Sequence, residues 1–184
     1  PGHINAVFVK DANKLINIDR SRQPEVDEYI EGLPKDLIQE YIDEPWLNDG
    51  VLAALWPIEE TLMEAKNQEA FVFWNHPAWS SEEESSDKLL HEIHIDLFNQ
   101  NLIHGIEVVN GIWFSDEAFQ IAIDYDLTII GTSDVHGLID WDYLQRPNGH
   151  RSVTLILSED KTEKSIKDAL FKGRTVVWYK NILI

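Results

Sequence analysis

The chain has 184 residues, with fifteen Lys and Arg against thirty-three Asp and Glu, a formal net charge of −18, and no cysteine. Such a charge repels phosphate backbones and anionic membrane surfaces, which argues against bulk nucleic-acid binding and against a membrane-surface role. Without cysteine there is neither a disulfide framework nor a thiolate site, so any metal must be held by His and carboxylates. The longest apolar runs are strand-sized, and no charged stretch followed by an apolar one opens the chain. A soluble protein of the cytoplasm or periplasm is expected.

In chain order, Gly2-His3 precedes a strand-like segment, 4–9, which puts an imidazole at the edge of a sheet. The stretch from about Asp11 to Trp56 is rich in Asp, Glu, Pro and paired apolar residues and reads as an acidic helical insertion in a single domain spanning 1–184. Pro34 opens a helix with Leu37, Ile38, Tyr41 and Ile42 on one side, and Pro57 opens another through Ala65, proline being tolerated in a first turn. Both read as amphipathic covers for a sheet. The next strand, 70–75, ends in His76, and Pro77 is expected to hold His76 in an extended backbone. After it, the run from Ser80 to Asp87, with Glu82, Glu83 and Glu84 between serines, reads as a solvated loop near that strand end.

Beyond Asp87, Leu90, Ile93, Leu97 and Phe98 mark a third helix. His91 and His94 on it are three apart rather than the four of a zincin motif, so they read as exposed helix surface. His104, before Gly105, reads as an imidazolium at a helix end. In strand 106–109, Glu107 sits inside an apolar run, which is costly unless a cation or hydrogen-bond donors meet it. That makes Glu107 a candidate ligand, with an outward-facing or salt-bridged residue as the plainer alternative. Phe119, Ala122 and Ile123 mark a fourth helix.

Strand 127–131 runs out into Gly131-Thr132-Ser133-Asp134-Val135-His136. If the extended conformation persists, Asp134 and His136 point the same way. Strand ends in α/β proteins are where ligand chemistry sits, and an Asp with a His suits a divalent metal; the competing reading of Asp134 is a helix cap. Arg146, His150 and Arg151 follow as a local basic cluster that can face an anionic group, since guanidinium matches phosphate oxygens in pairs. Pro147-Asn148-Gly149 between them is a turn signal that also fits an ordinary surface loop. Strands 152–157 and 174–179 flank a last helix, capped by Thr162, with Ile166, Ala169 and Leu170 inward and Gly173 at its end. Seven tryptophans, among them Trp74, Trp79, Trp113 and Trp141 near strand ends, suit either a pocket lining or core. Strands alternating with helices predict an α/β fold with mainly parallel strands.

Taken in order, Gly-His-Ile-Asn-Ala (2–6), Phe-Trp-Asn-His-Pro (73–77), Gly-Ile-Glu-Val-Val-Asn-Gly (105–111) and Gly-Thr-Ser-Asp-Val-His (131–136) resemble the polymerase and histidinol phosphatase (PHP) superfamily of metal-dependent phosphoesterases. Within it, the likeness is to stand-alone bacterial phosphodiesterase-like members, and it extends through 150–155 and 173–178. The resemblance implies part of a distorted seven-stranded (β/α)7 TIM-like barrel carrying two or three Mn, Fe or Zn ions. His3, His76, Asp134 and His136 would be metal ligands, with Glu107 a further candidate. The implied reaction is hydrolysis of a small phosphate monoester or diester by metal-activated water, with His136 or His76 alternatively protonating the leaving alcohol.

Two features depart from that pattern. Family members open with a His-x-His strand followed by a further Asp, His and Glu, all before the segment matching His3. This sequence begins after them, so the expectation is that those ligands are supplied from elsewhere or that half of the site is lost. The 11–56 stretch is also longer than the connection expected there. Two other readings follow: a catalytically incomplete domain that binds partners through its acidic insertion, and a metal-dependent amidohydrolase. An incomplete barrel exposes strand edges, so a homodimer or a covered edge near 4–9 is expected.

Overall fold

A short apolar strand, Phe71–Trp74 (β2), has all four side chains buried, as a strand covered on both faces must. The structure is a computed structural model describing residues 3–77, 89–139, 141 and 150–184. It divides into two compact units, one of Pro1–Phe8 with Glu69–Ile184 and one of Val9–Gln68.

In the first unit, β1 (Ile4–Val7), β2, β3 (Gly105–Asn110), β4 (Trp113–Phe114) and β5 (Thr128–Thr132) form one sheet. A second sheet holds β6 (Val153–Ile156), β7 (Thr175–Tyr179) and β8 (Ile182–Leu183). The strand segments expected from sequence are present, and the short β4 and β8 are additional. The pairing departs from the mainly parallel expectation. Among the described residues only β2 with β3 and β3 with β5 run parallel, whereas β1 with β2, β3 with β4, β6 with β7 and β7 with β8 are antiparallel. Alternation of strand and helix sets strand direction only when each crossover returns in the same sense. Here the whole of the second unit separates β1 from β2, and the helix Glu163–Phe171 (α7) joins two strands of opposite direction. Among the described residues the strands do not close into a barrel.

The sheets meet where β5 approaches β6 and β7. The Gly131 amide donates to Thr154 Oγ1 at 2.9 Å, and the Thr154 hydroxyl lies 2.9 Å from the Gly131 carbonyl. Thr175 Oγ1 donates to the Ile129 carbonyl at 2.9 Å. Gly131 is required at this junction because a Cβ there would overlap the Cγ1 methyl of Val177, itself fully buried. Phe71, Phe73, Ile130 and Leu170 form the core on one face, joined by Phe8, Ile156 and Ile166. Gly105 leaves room for it, since a Cβ would stand 3.0 Å from Phe71 Cζ.

On the other face lies the helix Glu92–Asn99 (α5), burying Leu97 and Phe98. His94 was expected on an exposed surface, but it is 3% exposed and stacks on Trp74 with ring centroids 4.1 Å apart. Its Nδ1 accepts the His91 amide at 3.1 Å, so the pair caps the helix. His104 also differs from expectation. Its Nδ1 accepts the Val72 amide at 3.1 Å, which an imidazolium cannot do, and its ring packs against Phe71 and Phe171. In the helix Asp116–Asp124 (α6), Ala118, Ile121 and Ala122 face inward, while Ile123 is exposed. Thr162 caps α7 by accepting the Ser165 amide, and Gly173 follows it at φ +63°, as expected. Trp74 is core, Trp113 and Trp141 are exposed, and Trp79 lies outside the described residues.

The second unit, which contains the 11–56 stretch, packs four helices, Gln23–Glu31 (α1), Lys35–Asp43 (α2), Pro45–Ala54 (α3) and Ile58–Asn67 (α4). Arg22 ties it together, donating to both Glu25 oxygens at 2.9 and 2.7 Å and to the Leu55 carbonyl at 2.6 Å. Gln68 pins the start of the unit by accepting the Lys10 and Asp11 amides, both at 2.8 Å. The helix expected after Pro34 forms, but α2 buries none of its residues, and Leu37 and Ile42, expected on a covered face, are exposed. Among the described residues no helix is long and apolar enough to cross a membrane.

Two outcomes follow from these contacts. Gly131→Ala should lower unfolding stability by about 1–3 kcal/mol in urea titrations, because a stiff β-branched neighbour must move, and Val177→Ala should partly restore it. The Asp168 carboxyl is held below the ordinary carboxylate range, chiefly by its hydrogen bond to Lys172, with the Lys172 and Arg174 charges adding to it. A depressed carboxylate stabilises the fold above the unfolded-state pKa and ceases to as pH falls through the lower folded value. The gap in urea midpoint between wild type and Asp168→Asn should therefore be steady from pH 7 to about pH 5 and close as the solution is made more acidic.

Candidate functional site

The sheet brings the sequence-derived candidates to one edge. Strands β2, β3 and β5 are mutually parallel, so the segments after β2 and β5 leave on the same side. β1 runs antiparallel to β2 with Ile4 opposite Trp74, so the residue before β1 arrives at that side too. His3, His76 and Asp134 are thus assembled at the carboxyl edge of the parallel strands, the usual place for ligand chemistry in an open α/β sheet.

His3 and His76 meet there. The Asn75 amide donates to the His3 carbonyl at 2.9 Å, extending the β1–β2 ladder, and His3 Nδ1 stands 3.0 Å from His76 Nε2. The rings are edge to face, with centroids 4.8 Å apart. His76 was expected in an extended backbone before Pro77. It instead has φ +26°, in a sparsely populated region for a residue with a side chain, because its amide turns inward to a buried acceptor.

That acceptor is Glu107, 2% exposed in β3. One of its oxygens, Oε2, accepts the His76 amide and, at 3.3 Å, Asn110 Nδ2. The other, Oε1, accepts the Thr132 hydroxyl. Glu107 makes no ion pair among the described residues; hydrogen-bond donors meet its charge, one of the two ways a buried carboxylate in an apolar strand is tolerated. A bulge at Val108 adds one residue to β3 relative to β5, pairing Glu107 with Ile130 and Val109 with Gly131. Thr132 and Asn110 gave no chemical signal in the sequence, since their role comes from strand register alone.

Asp134 and His136 are arranged differently from the expectation of alternating side chains. β5 ends at Thr132, and Asp134 takes φ +49°, so the extended path does not persist. His136 Nδ1 instead lies 2.9 Å from the Asp134 backbone carbonyl. As a donor to that carbonyl it leaves Nε2 with the lone pair, the tautomer a metal ligand or proton acceptor needs. Of the basic cluster, Arg146 lies outside the described residues, and Arg151 is exposed. His150 packs on Trp178 with ring centroids 4.0 Å apart and the rings tilted by 34°, with Nδ1 2.8 Å from the Arg151 carbonyl and Nε2 against that of Lys180.

The fit of this edge to a divalent metal is partial. Two imidazole nitrogens each about 2.1 Å from one ion, about 90–110° apart, stand about 3.0–3.4 Å from each other; the His3–His76 separation lies at the short end of that range and is equally that of the hydrogen bond between the two rings. No group of three His, Asp or Glu side chains able to hold an ion occurs among the described residues. Asp134 lies beyond the next strand but one from His76, and strands are spaced about 4.8 Å apart. Glu107 is turned to its three donors.

A scan of family models finds no match, and a search of curated proteins finds none. Among solved structures, the chain is similar to a two-domain protein from Bacteroides vulgatus ATCC 8482 described as containing a predicted PHP-like metal-dependent phosphoesterase. The two share 31% identity at a TM-score of 0.72, over 100% of this chain and 42% of the other. The chain thus spans less than half the length of that relative. The identity and full coverage support a PHP-like relationship.

Thr132→Val removes one donor to Glu107 while keeping shape. It should cost about 1–2 kcal/mol in urea-unfolding stability, against a few tenths for a surface Thr→Val change.

Proposed function

We propose that this chain forms part of a metal-dependent phosphoesterase of the PHP type, within a distorted β/α barrel of which the described strands are a portion. The supporting observation is the facing pair His3 Nδ1 and His76 Nε2, 3.0 Å apart at the carboxyl edge of the parallel strands. The likeness to a PHP-like protein over the whole chain adds weight.

In this reading His3 and His76 hold a divalent ion, manganese, iron or zinc, together with ligands from outside the pair. Asp134 and His136, at the same edge, belong to the rest of the centre. The ion supplies positive charge against the phosphoryl oxygens and lowers the pKa of water. The chain's own residues position and move protons. Register between β1 and β2 sets His3 against His76, and His136 Nε2, left with its lone pair by the bond at Nδ1, can take a proton from water and pass it to the leaving alcohol. Exposed Arg151 is the guanidinium assigned to substrate oxygens. A net charge of −18 favours a small phosphate ester over a polymer.

The test is elemental analysis of protein purified without chelators, beside His76→Ala and Asp134→Ala, with bis-p-nitrophenyl phosphate and p-nitrophenyl phosphate as substrates. At least one ion per chain, lost in His76→Ala together with turnover falling about 100-fold or more, is expected. Less than one ion per chain, unchanged by both substitutions, would replace this reading with a non-catalytic binding domain. Turnover of amides but not of phosphoesters would point to an amidohydrolase.

A further inference from the structure

We propose that Glu107 is a positioning residue, not a metal ligand: it sets the imidazole of His76 against His3 by capturing the His76 backbone amide. The proposal rests on the metal-centre reading above.

Three observations carry it. Glu107 is buried, and its oxygens are engaged by the His76 amide, Asn110 Nδ2 and the Thr132 hydroxyl, which come from the end of β2, from β3 itself and from the end of β5. His76 has a backbone conformation, φ +26°, that a residue with a side chain adopts only when its surroundings hold it there. The same residue's Nε2 faces His3 Nδ1, so the amide hydrogen bond and the imidazole contact are two ends of one constrained residue. The carboxylate acts on the imidazole through the backbone, as partners behind metal ligands commonly do through the ring.

This geometry separates the charge of Glu107 from its reach. In Glu107→Gln the amide oxygen can accept from His76 and Asn110 while the NH2 donates to the Thr132 hydroxyl, which accepts as readily as it donates. All three contacts survive without the charge. Glu107→Asp keeps the charge but withdraws it by one methylene, so the His76 amide loses its acceptor. A ligand role predicts failure of the neutral Gln variant; a positioning role predicts failure of the short, charged Asp variant.

The experiment measures Co2+ affinity by absorbance titration of the full chain for wild type, Glu107→Gln, Glu107→Asp and the control Thr128→Val. Thr128→Val removes a buried hydroxyl bond to the Leu170 carbonyl at the far end of β5, matching a loss of stability without touching the site. Hydrogen exchange of the His76 amide is read on the same samples. The expected result is Co2+ affinity within threefold of wild type for Glu107→Gln and Thr128→Val, and a drop of tenfold or more for Glu107→Asp. The His76 amide should exchange slowly in wild type and Glu107→Gln and rapidly in Glu107→Asp.

Equal loss in Gln and Asp would overturn the proposal in favour of a carboxylate ligand. Unchanged affinity in Asp, or equal loss in Thr128→Val, would overturn it in favour of a purely structural residue. Wild-type protein that takes up no Co2+ would remove the metal-centre reading instead. The His76 amide would then decide the proposal alone, standing if protection is lost only in Glu107→Asp and falling if wild type is unprotected.

Discussion

A carboxylate placed on the central strand of a mixed sheet has to be met by something, and how Glu107 is met shapes the edge of this sheet. Glu107 is 2% exposed and no cation pairs with it among the described residues, so polar groups of the chain itself serve. They come from the ends of the flanking strands. Because one carboxylate accepts from the His76 amide on one side and the Thr132 hydroxyl on the other, it bridges β2 and β5 over β3. The bulge at Val108 belongs to the same arrangement, since it alters the register of β3 against β5 beside this carboxylate.

Several strands of this unit are followed by a left-handed residue. Phe8 at φ +67° follows β1, His76 at +26° follows β2, Asp134 at +49° follows β5 and Lys180 at +51° follows β7. Two of the four are candidate site residues. Such conformations cost of order 1–3 kcal/mol each for a residue with a side chain and persist only where neighbouring contacts over-determine them. At His76 the contacts are visible: the ladder bond from Asn75 to His3 just before it, the proline just after it, and Glu107 beneath it. The opposite side of β5 is set by a different constraint, the absence of a side chain at Gly131, which lets the β6–β7 sheet close onto it.

Much of the fold was legible in the sequence, and the reasons can be given residue by residue. The strands at 71–74, 105–110, 128–132, 153–156 and 175–179 each carry a compact apolar run, and the last helix has an N-cap threonine and a terminating glycine. Strand partners were less legible. Alternation of elements suggested parallel pairing, but β6 and β7 pair antiparallel on either side of a helix. Helix faces were misread in two ways: apolar Leu37, Ile42 and Ile123 are exposed, and polar His94 is buried. His94 occupies core because it stacks on Trp74 and caps its own helix, neither of which is written in a spacing of three. His104 reads as a charged helix end until the Val72 amide is seen to donate to its Nδ1.

For the site, sequence order alone singled out His3, His76, Glu107, Asp134 and His136, because imidazoles and carboxylates at the ends of apolar strands, or within one, are chemically conspicuous. It determined which residue types were on offer and that no thiolate was among them. Only the tertiary structure decided who meets whom. It faced His3 with His76 through antiparallel register across seventy residues, turned Glu107 toward backbone and hydroxyl donors, and broke the alternation that would have set Asp134 beside His136. The physical reason is that strand ends and apolar runs are local properties of a chain, whereas register, bulges and left-handed turns are settled by contacts between segments far apart in it.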